Sequence, residues 1–407
     1  PGLLAVEKFM RDYFRHTERV SQVARRMAES APGRGRLKRG VAAVFGHRVH
    51  GGFRVDPTGI TATARGLKRL RGSLETVMEL ADLANLYDKP IDPRTWELVH
   101  AEASGLSGPL SSRACRHFRS LLGHPARLGE LLRRLHEARL LEKLIPEFAD
   151  ARGLFEFNEY HKYTVDEHCF QAVETATQFR LDPGPLGRVY RRLDRKLVLH
   201  LALLIHDLGK GHPEDHREVG FRLAQQTAER LGLDARQGDD LAFLVRNHLV
   251  MNHVALRRDT TDEQLVVRFA VDAGTPERLR MLYLLTAADL SAVGPGTWNN
   301  WKAEIITGLY QRAMQHLAGH SPAVTPEQYV EERREAVLAT LGQEAEQSWF
   351  TSQVDNLPAT YLANTDPGQI ANDLRLLHGL AADQVSTHGC FQPQARTLQF
   401  TVAAPEE

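Results

Sequence analysis

The stretch Leu199-His-Leu-Ala-Leu-Leu-Ile-His-Asp-Leu-Gly-Lys210 decides the reading of this chain. An almost wholly apolar, helix-like run ends in an imidazole and a carboxylate side by side, His206 and Asp207. Glycine and lysine follow them. Burying such a pair with no partner is costly, so a metal ion or a hydrogen-bonded network is needed to account for it. A neighbouring imidazole and carboxylate can grip one ion from one short segment.

Further ligand types lie at regular distances. His168 stands 38 residues before His206, His248 stands 41 after Asp207, and Asp289 stands 41 after His248. Each falls in a segment that reads as helical, so four helices can each aim one or two ligands at a common centre. Taken singly, a histidine on an apolar face is usually a core residue, and an aspartate near a helix end is usually a cap. The ordered set is what points to a metal. Its mixed imidazole and carboxylate donors suit Mn, Fe, Ni or Zn better than Ca or Mg, which favour all-oxygen shells.

Composition sets the outer bounds. The 407 residues suffice for two or three domains, at about 100–200 residues each. Hydrophobic residues make up 42% and charged residues 25%, as in ordinary globular proteins. Basic and acidic side chains balance at 51 each, so no global field draws the chain to nucleic acid or to an anionic membrane. The three cysteines, Cys115, Cys169 and Cys390, are too scattered for a disulfide framework or a paired-cysteine zinc motif. A reducing cytoplasm is the expected compartment, and Cys169 is expected to pack in the core. The apolar run near 197–205 is too short to cross a bilayer, and no signal peptide is visible. The chain begins at Pro1, inside a helical pattern, which leads us to expect a fragment of a longer protein.

Periodicity predicts an all-α protein. Residues 3–29 space Leu4, Phe9, Tyr13, Phe14, Val20, Val23 and Met27 as one amphipathic helix. The stretch Ala31–Gly40 is rich in breakers and reads as a solvated linker with four basic residues. Residues 41–56 suggest a short hairpin. Helical patterns resume over about 61–150, with a start at Asp92-Pro93, and continue through 160–318, where Asp182-Pro-Gly-Pro185 separates the first ligand helix from the second. Two more helices are expected from Pro326 to about 378. Residues 394–402 look like a lone strand, which needs a partner. The expected domains are a helical connector over 1–150, a metal-binding bundle over 151–320, a helical extension over 321–380, and a linker with a strand over 381–407.

The motifs resemble a known family. The ordered His168, His206-Asp207 and Asp289 set is similar to the HD metal-dependent phosphohydrolase superfamily. His161-Lys-Tyr-Thr-Val-Asp-Glu-His168, Val245-Arg-Asn-His-Leu-Val-Met251, Arg257-Arg-Asp259 and Ala292-Val-Gly-Pro-Gly-Thr-Trp-Asn-Asn-Trp-Lys302 resemble the bifunctional PII uridylyltransferase/uridylyl-removing enzymes more specifically. Phe9-Met-Arg-Asp-Tyr-Phe14 resembles the region that follows that family's transferase domain. The resemblance implies a helical connector and an HD bundle. It also implies a metal-dependent phosphodiesterase that removes UMP from uridylylated PII, a nitrogen-signalling protein. The family's transferase motif is absent: Gly105-Leu-Ser-Gly108 is its nearest string, and no paired-Asp strand follows. Glutamine is sensed in that family by C-terminal ACT domains, of which this chain holds at most a first strand near 396–402.

On this resemblance a divalent cation, expected as Mn²⁺ with Fe, Ni, Zn or Mg as alternatives, is held by His168, His206, Asp207 and Asp289. His248 and His216 serve a second ion or face the substrate. Asp207, Lys210 and His216 are the expected catalytic residues, with Lys210 reaching a nonbridging oxygen and His216 donating a proton. Arg257, Arg258 and Lys302 are expected at UMP phosphate or at the acidic surface of a partner, with helix-end ion pairs as the alternative. Trp298 and Trp301 are expected to pack. The sequence departs from the family pattern at Asn247, where a second histidine is usual. Two other functions stay open: an HD phosphohydrolase acting on free nucleotides, and an HD module without activity that binds PII as a regulator.

Overall fold

The computed structural model describes residues 5–30, 46–49, 52–106, 108–155, 163–260, 262–294, 296–317, 326–358, 361–362, 365–381, 384–392 and 397–403. The 31–40 linker lies outside them, as do His161 and Lys162 at the start of the motif that ends in His168. The protein is predominantly helical and divides into two compact units, Pro1–Val254 with Glu277–Trp298, and Ala255–Pro276 with Asn299–Glu407.

The first unit opens on the helix Ala5–Ser30. A three-stranded antiparallel meander follows, His47–Val49, Phe53–Asp56 and Gly59–Ala62. The hairpin expected within 41–56 is formed by the first two strands, and a third strand, Gly59–Ala62, extends it. The turn lies at Asp56, whose Oδ1 accepts from the amides of Thr58 and Gly59 at 2.7 and 3.1 Å. It sends Gly59–Ala62 back in register, with Val55 opposite Ile60 and Phe53 opposite Ala62. Phe53, Val55 and Ile60 all point inward. Helices then start where short polar caps precede apolar runs. Ser73, Asp92, Ser111 and Asp234 each accept a backbone amide of the first turn.

The helix Lys196–Ile205 is the axis of this unit. Val198 through Ile205 are completely buried, as a helix apolar on every face must be. It packs against Val165–Gln178, Ser112–Gly123 and Ala235–Asn247. A further helix, Pro185–Arg192, stands between the first ligand helix and this one, where the sequence suggested only a break. Gly184 and Pro185 start it as N-cap and first residue. Arg133, on Leu128–Glu137, grips the His168 helix through Glu167 and through Glu174 at 3.0 Å, with its guanidinium 5.5 Å from the Phe170 ring.

In the second unit, Glu263–Ala273 packs on Asn300–Leu317. Pro326–Leu341, Ser348–Asn356 and Pro367–His378 enclose a separate core of Val337, Leu341, Phe350, Val354, Leu362, Ile370, Ala371 and Leu374. These are three helices where two were expected, since Gly342 and the 3-10 turn Gly342–Glu346 break the run. The terminal strand is not alone. Thr397–Ala403 pairs antiparallel with Ser386–Gln392, whose mixed composition, with Gly389 at its centre, hid it.

Candidate metal centre

The ligand-bearing helices deliver their side chains at or near their C-terminal ends. His206 and His248 are the C-cap residues of Lys196–Ile205 and Ala235–Asn247. Asp289 lies in the last turns of Pro276–Val293. Helix C-termini carry partial negative charge, which adds to the carboxylates in favouring a cation. His168, in the first turn of Val165–Gln178, comes in from the other direction along its helix.

The donor atoms converge. His168 Nε2 lies 3.0 Å from Asp289 Oδ1, 3.3 Å from His206 Nε2 and 3.7 Å from Asp207 Oδ2. His206 Nε2 is 3.6 Å from both Asp207 Oδ2 and Asp289 Oδ1. On the other side of Asp207, Oδ1 lies 3.7 Å from His248 Nε2. Asp207 thus faces two groups of ligand types: one with His168 and His206, the other with His216 and His248. His168, His206, Asp207 and His248 are at most 3% exposed.

Backbone contacts set the imidazoles. His206 Nδ1 donates to Leu203 O at 2.8 Å, and His248 Nδ1 donates to Val245 O at 2.7 Å. A carbonyl can only accept, so these bonds place a ring hydrogen on Nδ1 and make Nε2 the atom that a cation would take. The same i to i−3 geometry recurs because both histidines cap a helix. Gly209 makes the turn after Asp207 fit: a Cβ there would meet His216 O at 2.1 Å.

The side chains of the site also set one another's charge. Burial pushes the Asp207 carboxyl up, but His206, Lys210, His248 and His168 pull it well below the usual carboxylate range. Asp289 behaves alike: burial opposes ionisation, and hydrogen bonds from His168 and His206 overcome it. Burial disfavours His206's charge, yet Asp207 and Asp289 raise its pKa well above the ordinary value. Burial, then the His206 charge, lowers His248 to about 4. The residues fit a divalent cation. They offer buried carboxylates and two imidazoles with oriented Nε2 atoms, and His216 Nε2 is buried without a hydrogen-bond partner among the described residues.

The other expected residues fall as follows. Lys210 Nζ is 2.7 Å from Asp207 Oδ2, so it is engaged with the carboxylate that it follows by one turn. Asn247 turns its amide back to Phe243 O at 2.8 Å. Arg257, Arg258 and Lys302 belong to the other compact unit. The two arginines are exposed and Lys302 is half-buried, with its amide bonded to Asn299 Oδ1. Trp298 is half-buried, but Trp301 is 57% exposed and does not pack as expected. Cys169 is buried, as expected, yet its thiol lies against His206, a contact that the one-residue offset from His168 concealed. His200 also escaped notice. It is fully buried, donating from Nδ1 to Leu122 O at 2.6 Å and accepting from the Tyr190 hydroxyl at 2.8 Å.

Comparison with known proteins agrees with this architecture. The HD domain family matches residues 165–273. The chain is 32% identical over 371 residues to the bifunctional uridylyltransferase/uridylyl-removing enzyme of Zymomonas mobilis subsp. mobilis, covering 88% of this chain and 39% of that protein. Proteins of the same name from Cereibacter sphaeroides and Ruegeria pomeroyi are 33% and 34% identical, each over 84% of this chain and 37% and 38% of their own lengths. The chain therefore spans about two fifths of the curated relatives that it matches. No helix among the described residues is long and apolar enough to cross a membrane. Residues 165–273 thus match the HD domain family, and most of the chain is similar to part of the bifunctional uridylyltransferase/uridylyl-removing enzymes.

Proposed function

We propose that this chain is a metal-dependent phosphodiesterase that removes UMP from uridylylated PII. The observation that carries this reading is the convergence of His168, His206, Asp207 and Asp289 in one buried cluster. The relatives' uridylyl-removing name supports the choice of substrate.

His168, His206, Asp207 and Asp289 would hold the cation, with His248 and His216 on the far side of Asp207. When bound, a divalent ion supplies polarisation of the phosphoryl oxygens and activation of water. The protein's own groups do the rest. Lys210 holds Asp207 in orientation as a compact cation. His216, with a buried and unbonded Nε2, moves the proton. On this reading UMP is linked to a PII tyrosine oxygen: water adds to phosphorus, the bond from phosphorus to that oxygen breaks, and the phenolate takes up a proton. A phenol of pKa about 10 leaves more readily than an alkoxide. Arg257, Arg258 and Lys302 are proposed to meet UMP phosphate or the acidic surface of PII. Glutamine acts only through domains that the longer relatives' extra length could supply.

The test is UMP release from uridylylated PII in the presence of Mn²⁺, beside Asp207→Ala. Metal-dependent release that the substitution abolishes supports the proposal. Metal binding with no release from PII, but hydrolysis of free nucleotides, replaces the substrate. Neither metal binding nor release transfers the protein to the regulatory class.

A further inference from the structure

Asp240 lies far from the ligand cluster along its own helix, yet it joins three of the segments that carry ligands. It is 3% exposed, on Ala235–Asn247. Its Oδ2 accepts from Arg195 Nη1, and Arg195 is the N-cap residue of Lys196–Ile205. Its Oδ1 accepts from Arg278 Nε at 2.6 Å, and Arg278 opens Pro276–Val293. The Arg278 guanidinium also lies 5.1 Å from the ring of Phe243, one turn after Asp240.

The spacing gives this junction its consequence. His206 follows Arg195 by 11 residues, Asp289 follows Arg278 by 11, and His248 follows Asp240 by 8. At about 1.5 Å per residue, each helix runs roughly 12–17 Å from the junction to its ligand. All three run in the same sense, N-terminal side at the junction and C-terminal side at the ligands. The Asp240 carboxylate stands on the side of two helix N-termini, where negative charge is favoured. It also pairs with two arginines that stand at those ends. Burying a carboxylate is costly unless it is paired, and here both oxygens have a guanidinium partner.

Resting on the metal-site reading above, we propose that Asp240, with Arg195 and Arg278, is a positioning clamp that sets the axial register of three helices so that His206 and Asp289 converge on one side of Asp207 and His248 on the other. A slip of one helix along another by about 1 Å is enough to spoil such convergence. The clamp touches no ligand and no reacting atom. It acts through rigid helices, as contacts outside the ligand shell commonly do for metal sites.

The experiment measures Mn²⁺ affinity by calorimetry on chains shown to be folded by circular dichroism. Asp240→Asn is expected to weaken binding by about tenfold or more. Arg278→Lys, which keeps the charge but not the Nε geometry, and Asp240→Glu are expected to fall between this variant and the parent, and keep the test open if Asp240→Asn does not fold. Leu80→Ala, a core truncation in the helix Leu74–Leu86, serves as the control for general loosening. It is expected to lower the melting temperature and leave the affinity unchanged. Unchanged affinity in folded Asp240→Asn or Arg278→Lys overturns the clamp, as does an equal loss in Leu80→Ala. A parent protein that binds no Mn²⁺ overturns the metal site itself, which is a separate result.

Discussion

The Lys210 ammonium lies 2.7 Å from Asp207 Oδ2, in a site where Asp207 also faces three imidazoles. Lys210 therefore competes with a cation for that carboxylate while fixing its orientation. Lys210→Met is expected to leave Mn²⁺ affinity equal or higher and to lower the hydrolytic rate about 10–100-fold. Calorimetry and UMP release, measured on one preparation, separate the two effects. Parallel loss of both would make Lys210 a support for ion binding instead.

Ion removal should read out as stability. Mn²⁺ at about one hundred times its dissociation constant is expected to add about 2.7 kcal/mol. Asp289→Asn removes a carboxylate that faces His168 and His206 at 3.0 and 3.6 Å. The thermal shift on adding Mn²⁺ should shrink or vanish in this variant. A full shift would place the ion elsewhere.

Asn247 bonds its own helix at Phe243 O instead of facing the ligands. Asn247→His tests whether an imidazole at this position can swing round to join Asp207, His216 and His248, which already group as a second set. The expected outcome is a rise in bound Mn²⁺ per chain, read by elemental analysis after gel filtration. No rise would mean that the chain is built for one ion.

His200 predicts an acid-sensitive core. Burial lowers its pKa to about 4, against an ordinary 6.5. The unfolded chain thus binds the proton first as pH falls, so stability is present above about 6.5 and is lost progressively towards 4. The contribution is about 3 kcal/mol in order of magnitude. His200→Leu is destabilising at neutral pH because it leaves Leu122 O and the Tyr190 hydroxyl without their partner. Urea melts at pH 7 and pH 4.5 should show the gap between parent and variant closing in acid. A gap that stays constant would contradict the buried neutral state.

The sequence by itself determined the helical class, the helix start at Asp92-Pro93, and the ligand types on their helices. These are local properties. A capping side chain acts within one turn, amphipathic spacing shows along one element, and His206 and Asp207 are neighbours in the chain. The tertiary structure alone decided what each side chain meets. The sequence aimed Lys210 at a substrate oxygen, but the fold closes it onto Asp207. Cys169 reads as packing and His200 stands out for nothing, and their bonding partners come from helices that the sequence does not align. Asp240, Arg195 and Arg278 look like ordinary surface charges when read in order. Only the packing of three helices buries that carboxylate and gives it two partners. Distance along the chain carries no information on such pairings, because they depend on how whole helices are set against each other.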